Sequence, residues 1–165
     1  ANLKNTNLHP IFYTLEEWSF QMQTFLQSFT LVVFVLTVFQ PTLITNLVTA
    51  GLLPLANLLL FLYWFPVLLC LAGAEFEDFY QLVPIVIQLV FLLSPILYEK
   101  KALAQLSWTA DINPFYIVLS GLRNSLINGS MDVGKSIAFA AINIVGIALS
   151  ISLLEKQKRK LPFLV

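Results

Sequence analysis

Leu47-Val48-Thr49-Ala50-Gly51-Leu52-Leu53-Pro54-Leu55-Ala56-Asn57-Leu58-Leu59-Leu60-Phe61-Leu62-Tyr63-Trp64-Phe65-Pro66-Val67-Leu68-Leu69-Cys70-Leu71-Ala72-Gly73-Ala74 contains no charged side chain. A helix needs about 20 apolar residues to cross a hydrocarbon core about 30 Å thick, and this stretch exceeds that. Its interior holds Asn57, Pro54 and Pro66. Each proline removes a backbone bond and kinks a helix, which lipid tolerates where neighbours serve the freed carbonyls.

Three further apolar runs accompany it: Trp18 to Phe39, Gln81 to Tyr98, the shortest, and Val133 to Leu154, interrupted only by Lys135 near its start. Hydrophobic residues are 58% of the chain and charged residues 11%, against about 25% charged in a soluble domain. Too little polar side chain exists to cover a globule in water. The expected fold is all-α and polytopic, one transmembrane domain over residues 1–165. Its spans lie at about 18–39, 47–74, 81–98 and 133–154.

The first run opens on Thr14-Leu15-Glu16-Glu17, which reads as a capping box with Tyr13 and Trp18 as a hydrophobic staple, and Pro41 closes it. Gln23, Gln27 and Thr30 recur at i, i+4 and i+7, a polar stripe that either lines a pathway or bonds a neighbouring helix. The third run is divided by Pro84, Gln88 and Pro95, so a broken or partly re-entrant helix is expected there. The fourth carries Gly146 and Ser150 at a spacing that permits close helix approach.

Between the third and fourth runs, Asn113-Pro114 reads as a cap with proline at the first helical position. Phe115, Val118, Leu119, Leu122 and Leu126 then repeat at helical spacing, with Ser120, Arg123 and Asn124 opposite. An amphipathic helix over 114–127 is expected, lying at the membrane interface or dipping into it and closed by Asn128-Gly129.

Local features carry the remaining functional signals, because the formal net charge is zero and points to no nucleic acid. Cys70 is the single cysteine, so this chain builds neither a disulfide framework nor a thiolate metal site. His9, the single histidine, reads as a surface or interface residue rather than a metal ligand. Gly129-Ser130-Met131-Asp132-Val133-Gly134-Lys135-Ser136 satisfies the phosphate-loop pattern. A working loop of that kind joins a strand to a helix, whereas here a glycine turn and a helix start are expected. Asn128-Gly129-Ser130 also forms a glycosylation sequon, relevant only in a eukaryotic secretory route. Trp18, Trp64, Tyr80, Tyr98 and Trp108 fall near expected helix ends and read as an aromatic belt. No catalytic constellation and no cofactor motif emerges.

The basic tail over 155–165, with Lys156, Lys158, Arg159 and Lys160, predicts a cytoplasmic C-terminus. Four crossings would place the N-terminus on the same side. Ala1 to Asn5 lacks the regions of a secretory signal.

Glu75-Phe76-Glu77-Asp78-Phe79-Tyr80-Gln81-Leu82-Val83-Pro84, Ser94-Pro95-Ile96-Leu97-Tyr98, Asn113-Pro114-Phe115, Gly121-Leu122-Arg123 and Lys158-Arg159-Lys160-Leu161-Pro162-Phe163 follow one another in a telling order. Together they resemble the second half of polysaccharide-exporting ABC transporter permeases, the membrane subunits for O-antigen, capsule and teichoic acid export. Glu77 stands where that family usually has arginine, so no role of that arginine is carried over. The resemblance implies a bacterial inner-membrane subunit that pairs with a second copy of itself and with separate ATP-binding subunits, and that exports a lipid-linked polysaccharide through membrane lipid. It implies two further spans before this chain. Asn5, Asn7, His9, Pro10, Glu77 and Asp78 would meet the ATP-binding subunit, and Gln23, Gln27, Thr30, Gln88 and Arg123 would line the pathway. A lipid or drug permease, or a membrane-embedded enzyme of isoprenoid-linked glycans with Glu75, Glu77 and Asp78 as its only candidate acids, are the competing readings.

Overall fold

A computed structural model describes residues 9–75, 77–93, 108 and 112–157. The described residues are helical throughout, apart from short turns, and contain no strand. Helix α1 spans Pro10–Phe39, α2 Thr42–Asn46 and α3 Leu52–Glu75, with one π-helical turn, Leu47–Gly51, between the last two. Helix α4 spans Glu77–Leu93, α5 Pro114–Asn128 and α6 Val133–Gln157. Among the described residues, three helical stretches are long and apolar enough to cross a membrane: Pro10–Phe39, Thr42–Gly73 and Val133–Lys156. Helix α4 contributes a shorter apolar stretch, Gln81–Val90.

The start of α1 corrects the capping-box reading. The helix begins at Pro10, where the fixed φ of proline suits the first turn, and His9 is its cap, its Nδ1 accepting from the Ile11 N–H at 3.4 Å. Thr14 therefore lies inside the helix, and its hydroxyl donates to the Ile11 carbonyl at 2.9 Å. At the other end the Gln40 N–H bonds to the Leu36 carbonyl and Pro41 follows.

The expected second run is longer than its apolar core, because α2 and the π turn feed directly into α3. Pro54 has no N–H for the carbonyl four residues back, and its ring crowds that carbonyl. The widened turn Leu47–Gly51 lies at this point, a local π geometry that absorbs the mismatch. Pro66 and Pro84 sit inside α3 and α4, which continue through them. The expected break at Pro95 falls outside the described residues.

Helix α3 is the axis of the bundle, and α1, α4, α5 and α6 all pack on it. Leu58 and Phe61 of α3, Val118 and Leu122 of α5, and Phe139 of α6 form one buried cluster. Phe61 is its centre, with edge-on rings of Trp64 and Phe115 and a stacked Phe65 around it. A second cluster joins Tyr63, Val67 and Leu71 to Leu154, with Ile11 and Trp18 against it. The beginning of α1 and the ends of α3 and α6 thus gather at one end of the bundle.

Helix α5 is not laid across the end of the bundle. Phe115 meets Phe61 and Phe65 halfway along α3, whereas Leu126 lies beside Gly51 at its beginning. The eleven residue steps from Phe115 to Leu126 span roughly 16 Å of helix, so α5 runs antiparallel along the first half of α3. The Asn113 cap forms as read: its Oδ1 accepts from the Phe115 and Tyr116 N–H groups, and its Nδ2 donates to the Val90 carbonyl of α4 at 3.1 Å. At the far end Asn46 Nδ2 donates to the Leu126 carbonyl at 2.9 Å, and Gly129 closes the helix at φ 65°. Asn113→Ala removes both the cap and the tie to α4. It is expected to cost about 1–2 kcal/mol, read as earlier thermal unfolding and lost amide protection in the first turn of α5.

Candidate functional site

The most heavily built polar feature is a buried network across the α3–α6 seam. Asn143 Nδ2 donates to the Asn57 carbonyl at 3.0 Å and to Asn57 Oδ1 at 3.2 Å. Trp64 Nε1 donates to Asn143 Oδ1 at 2.9 Å, and Asn57 Nδ2 donates to the Ser136 carbonyl at 2.9 Å. Asn143 is 0% exposed and Asn57 4%. In an apolar medium every such group needs a partner, and here each amide finds one on the facing helix. Gly146, one turn further along α6, lies flat against the Trp64 ring. Close approach at Gly146 was expected from sequence. Asn143 was missed, and its signal was an asparagine inside an otherwise apolar run, matched by a second in Asn57.

Trp64 and Trp18 correct the aromatic-belt reading. Trp64 lies in mid-helix, half-buried and bonded to Asn143. Trp18 Nε1 donates to the Leu59 carbonyl at 3.3 Å, and its ring packs edge-on to Tyr63. Both serve helix packing. Trp108 is exposed, and Tyr98 lies outside the described residues.

The polar stripe occupies an open groove on α1 of about 980 Å³, bordered by Trp18, Met22, Phe34 and Leu59. Gln23, Gln27 and Thr30 are all exposed and bond to no other described residue. Of the two readings of the stripe, bonding to a neighbouring helix of this chain is therefore not realised among the described residues. Gln88 is exposed on α4 and Arg123 on α5, and neither lines this groove. Large apolar side chains of α1, including Leu31, Phe34, Val38 and Phe39, are also exposed, as befits a surface against lipid or another polypeptide.

The residues read as facing a partner lie at the end where α1 begins and α3 finishes. His9 is half-buried as the cap of α1, Pro10 is buried, and Asp78 is exposed in the first turn of α4. Glu77 begins α4. Asn5 and Asn7 lie outside the described residues.

The phosphate-loop pattern folds as a turn and a helix start. Gly129 closes α5, Val133 begins α6, and Asp132 caps α6. Asp132 Oδ1 accepts from the Lys135 N–H at 3.1 Å, and Lys135 Nζ lies 3.3 Å from Asp132 Oδ2. The helix terminus that would hold a phosphate is occupied by a carboxylate. Hydrogen bonds from Lys135 hold the Asp132 carboxyl below its ordinary pKa. Its contribution to the cap is thus present above the ordinary carboxylate value and is lost as pH falls through the depressed one. A fluorescent ATP analogue is expected to show no saturable binding to this chain alone; saturable binding abolished by Lys135→Ala would overturn that.

Long apolar helices joined by buried amides, with a second set of amides on an outward face that bond to no other described residue, define a multi-pass membrane protein. No group of His, Cys, Asp and Glu among the described residues is placed to hold a metal ion. Residues 9–127 match the family described as ABC-2 type transporter, and the chain belongs to that family of membrane permeases. It is a transport component, not an enzyme, and such permeases generally pair with an ATP-binding subunit. No curated protein and no solved structure matches the chain. The family match ends before α6, yet α6 packs along the length of α3 and completes both buried clusters.

Proposed function

We propose that this permease exports a lipid-linked polysaccharide, working in the bacterial inner membrane as two copies with two separate ATP-binding subunits. The observation that carries the reading is the groove on α1. A row of amide and hydroxyl groups, Gln23, Gln27 and Thr30, is set in an apolar surface. Polar groups in hydrocarbon depth need either a wet path or a partner helix, and a second copy closing over α1 supplies both. An amphiphile fits such a surface: its lipid meets the apolar border and its sugars meet the row. Gln88 and Arg123 extend the pathway beyond the groove. The order of the Glu75 to Pro84, Ser94 to Tyr98 and Asn113-Pro114 segments supports the polysaccharide class by resemblance.

The end where α1 begins and α3 finishes is then the cytoplasmic end, in keeping with the basic tail from Lys156. His9, Pro10, Glu77 and Asp78 lie where the ATP-binding subunit would act, and Asn5 and Asn7, outside the described residues, are proposed to meet it as well. Closure of that subunit biases α1 against α3 by making different contacts in two states, as any coupled switch must.

Deletion of the gene in its host is the test. Lipid-linked glycan is expected to accumulate on the cytoplasmic face; the wild-type gene restores export, and Gln23→Leu/Gln27→Leu does not. Normal surface glycan in the deletion strain, with new sensitivity to a drug, would replace this reading by the drug permease.

A further inference from the structure

A second cavity, of about 670 Å³, lies on the opposite side of α3 from the α1 groove, between α3, α5 and α6. Such a volume is typical of small-molecule sites, which span about 300–1,000 Å³. It reaches inward to Asn57 and opens at the end of the bundle where α5 finishes and α6 begins. We infer that this cavity binds a neutral, polyhydroxylated group of one or a few sugar rings; the inference rests on the export reading only for the source of that group.

Its lining decides the chemistry. The side chains of Asn124, Asn128 and Tyr116 of α5 and the Ser136 hydroxyl of α6 supply donors and acceptors that bond to no other described residue. Asparagine amides and hydroxyls each donate and accept, as a vicinal diol does. The rings of Tyr116 and Phe139 provide apolar walls for the C–H face of a sugar. The cavity has no net charge to hold an ion: its one lysine and one aspartate, Lys135 and Asp132, neutralise each other at 3.3 Å, and Asp132 already fills the helix terminus beside them. An anion would meet that carboxylate, and a cation would meet Lys135.

The polyhydroxylated group has two sources, the exported glycan or the headgroup of a glycolipid. The test uses the full chain in phosphatidylcholine nanodiscs without its ATP-binding partner. Maltose, lactose and inorganic phosphate are titrated separately and followed by saturation-transfer NMR. Saturable transfer to a disaccharide, not displaced by phosphate, is expected. Asn124→Ala/Asn128→Ala is expected to weaken it about tenfold, the loss of two or so hydrogen bonds, without moving the melting temperature. No saturable transfer from either sugar, equal binding by the double variant, or displacement by phosphate would each overturn the assignment. Nanodiscs doped with a monohexosyl diacylglycerol separate the sources. Competition that the double variant abolishes supports the site and gives it to a lipid headgroup; sugar binding without competition supports the site and gives it to the exported chain. Because nothing here requires transport, a failed sugar titration leaves the deletion experiment standing, and normal export in the deletion strain leaves the titration standing.

Discussion

Replacing Asn143 by alanine is expected to destabilise the chain by about 2–3 kcal/mol, the first of the two largest single-site effects. Three hydrogen bonds are lost at once: two from Asn143 Nδ2 to Asn57 and one from Trp64 Nε1 to Asn143 Oδ1. A buried donor left without a partner costs about 1–3 kcal/mol in a water-soluble protein. Bonds between membrane helices average nearer 0.6 kcal/mol, with a maximum of about 1.7, because the unfolded helices also find partners in lipid. Three bonds on the membrane scale give about 2 kcal/mol, and the fully buried position of Asn143 adds the loss of packing. Asn143→Asp separates the contributions: it keeps an acceptor for Trp64 but turns a carboxylate oxygen toward the Asn57 carbonyl. It is expected to destabilise more than alanine does. Equilibrium unfolding in mixed micelles measures both; an unchanged midpoint for Asn143→Ala would show that the network contributes nothing to holding α3 against α6.

The network also marks where sequence reading stops. Run lengths and the absence of charge establish helices and membrane, because a hydrophobic span is a local property of about 20 residues. The Asn113-Pro114 cap and the buried face of α5 were legible for the same reason, since Val118 and Leu122 of the predicted stripe are the residues that reach the core. Asn57 was noticed and Asn143 was not, for a single amide disturbs no periodicity, and their pairing across 86 positions is a tertiary fact. Trp64 was assigned to the membrane surface by residue type, although its run continued ten residues further to Ala74. In the helical stretch Thr42–Gly73 Trp64 falls well inside the end, and its indole finds its acceptor on Asn143. The stripe Gln23, Gln27, Thr30 was legible as a face by its spacing, but what covers that face is not a described part of the chain.

Gly146→Ala should act on the same seam from the opposite direction, by adding one atom rather than removing a group. A Cβ at Gly146 would lie 2.4 Å from Trp64 Cδ2, 2.5 Å from Cε2 and 2.8 Å from Cε3, closer than carbon atoms pack. The ring has little freedom to retreat, because Phe61 and Phe65 meet it edge-on and its Nε1 is tied to Asn143. Overpacking of this kind costs about 1–3 kcal/mol, and displacement of the ring weakens the indole bond as well. Alanine gains about 1 kcal/mol over glycine in helix propensity, which offsets part of the loss, so a net destabilisation of about 2 kcal/mol is expected. The propensity gain makes the mechanism separable. With Trp64→Ala already present, the three atoms closest to the new methyl group are gone, and Gly146→Ala should stabilise by up to about 1 kcal/mol. Gly121 provides the control, since a Cβ there meets nothing within 4 Å and Gly121→Ala should be neutral or mildly stabilising in either background. If Gly146→Ala destabilised the Trp64→Ala protein as much as the wild type, the indole would not be what the glycine accommodates, and the close approach of α3 and α6 would have to rest on backbone contact instead.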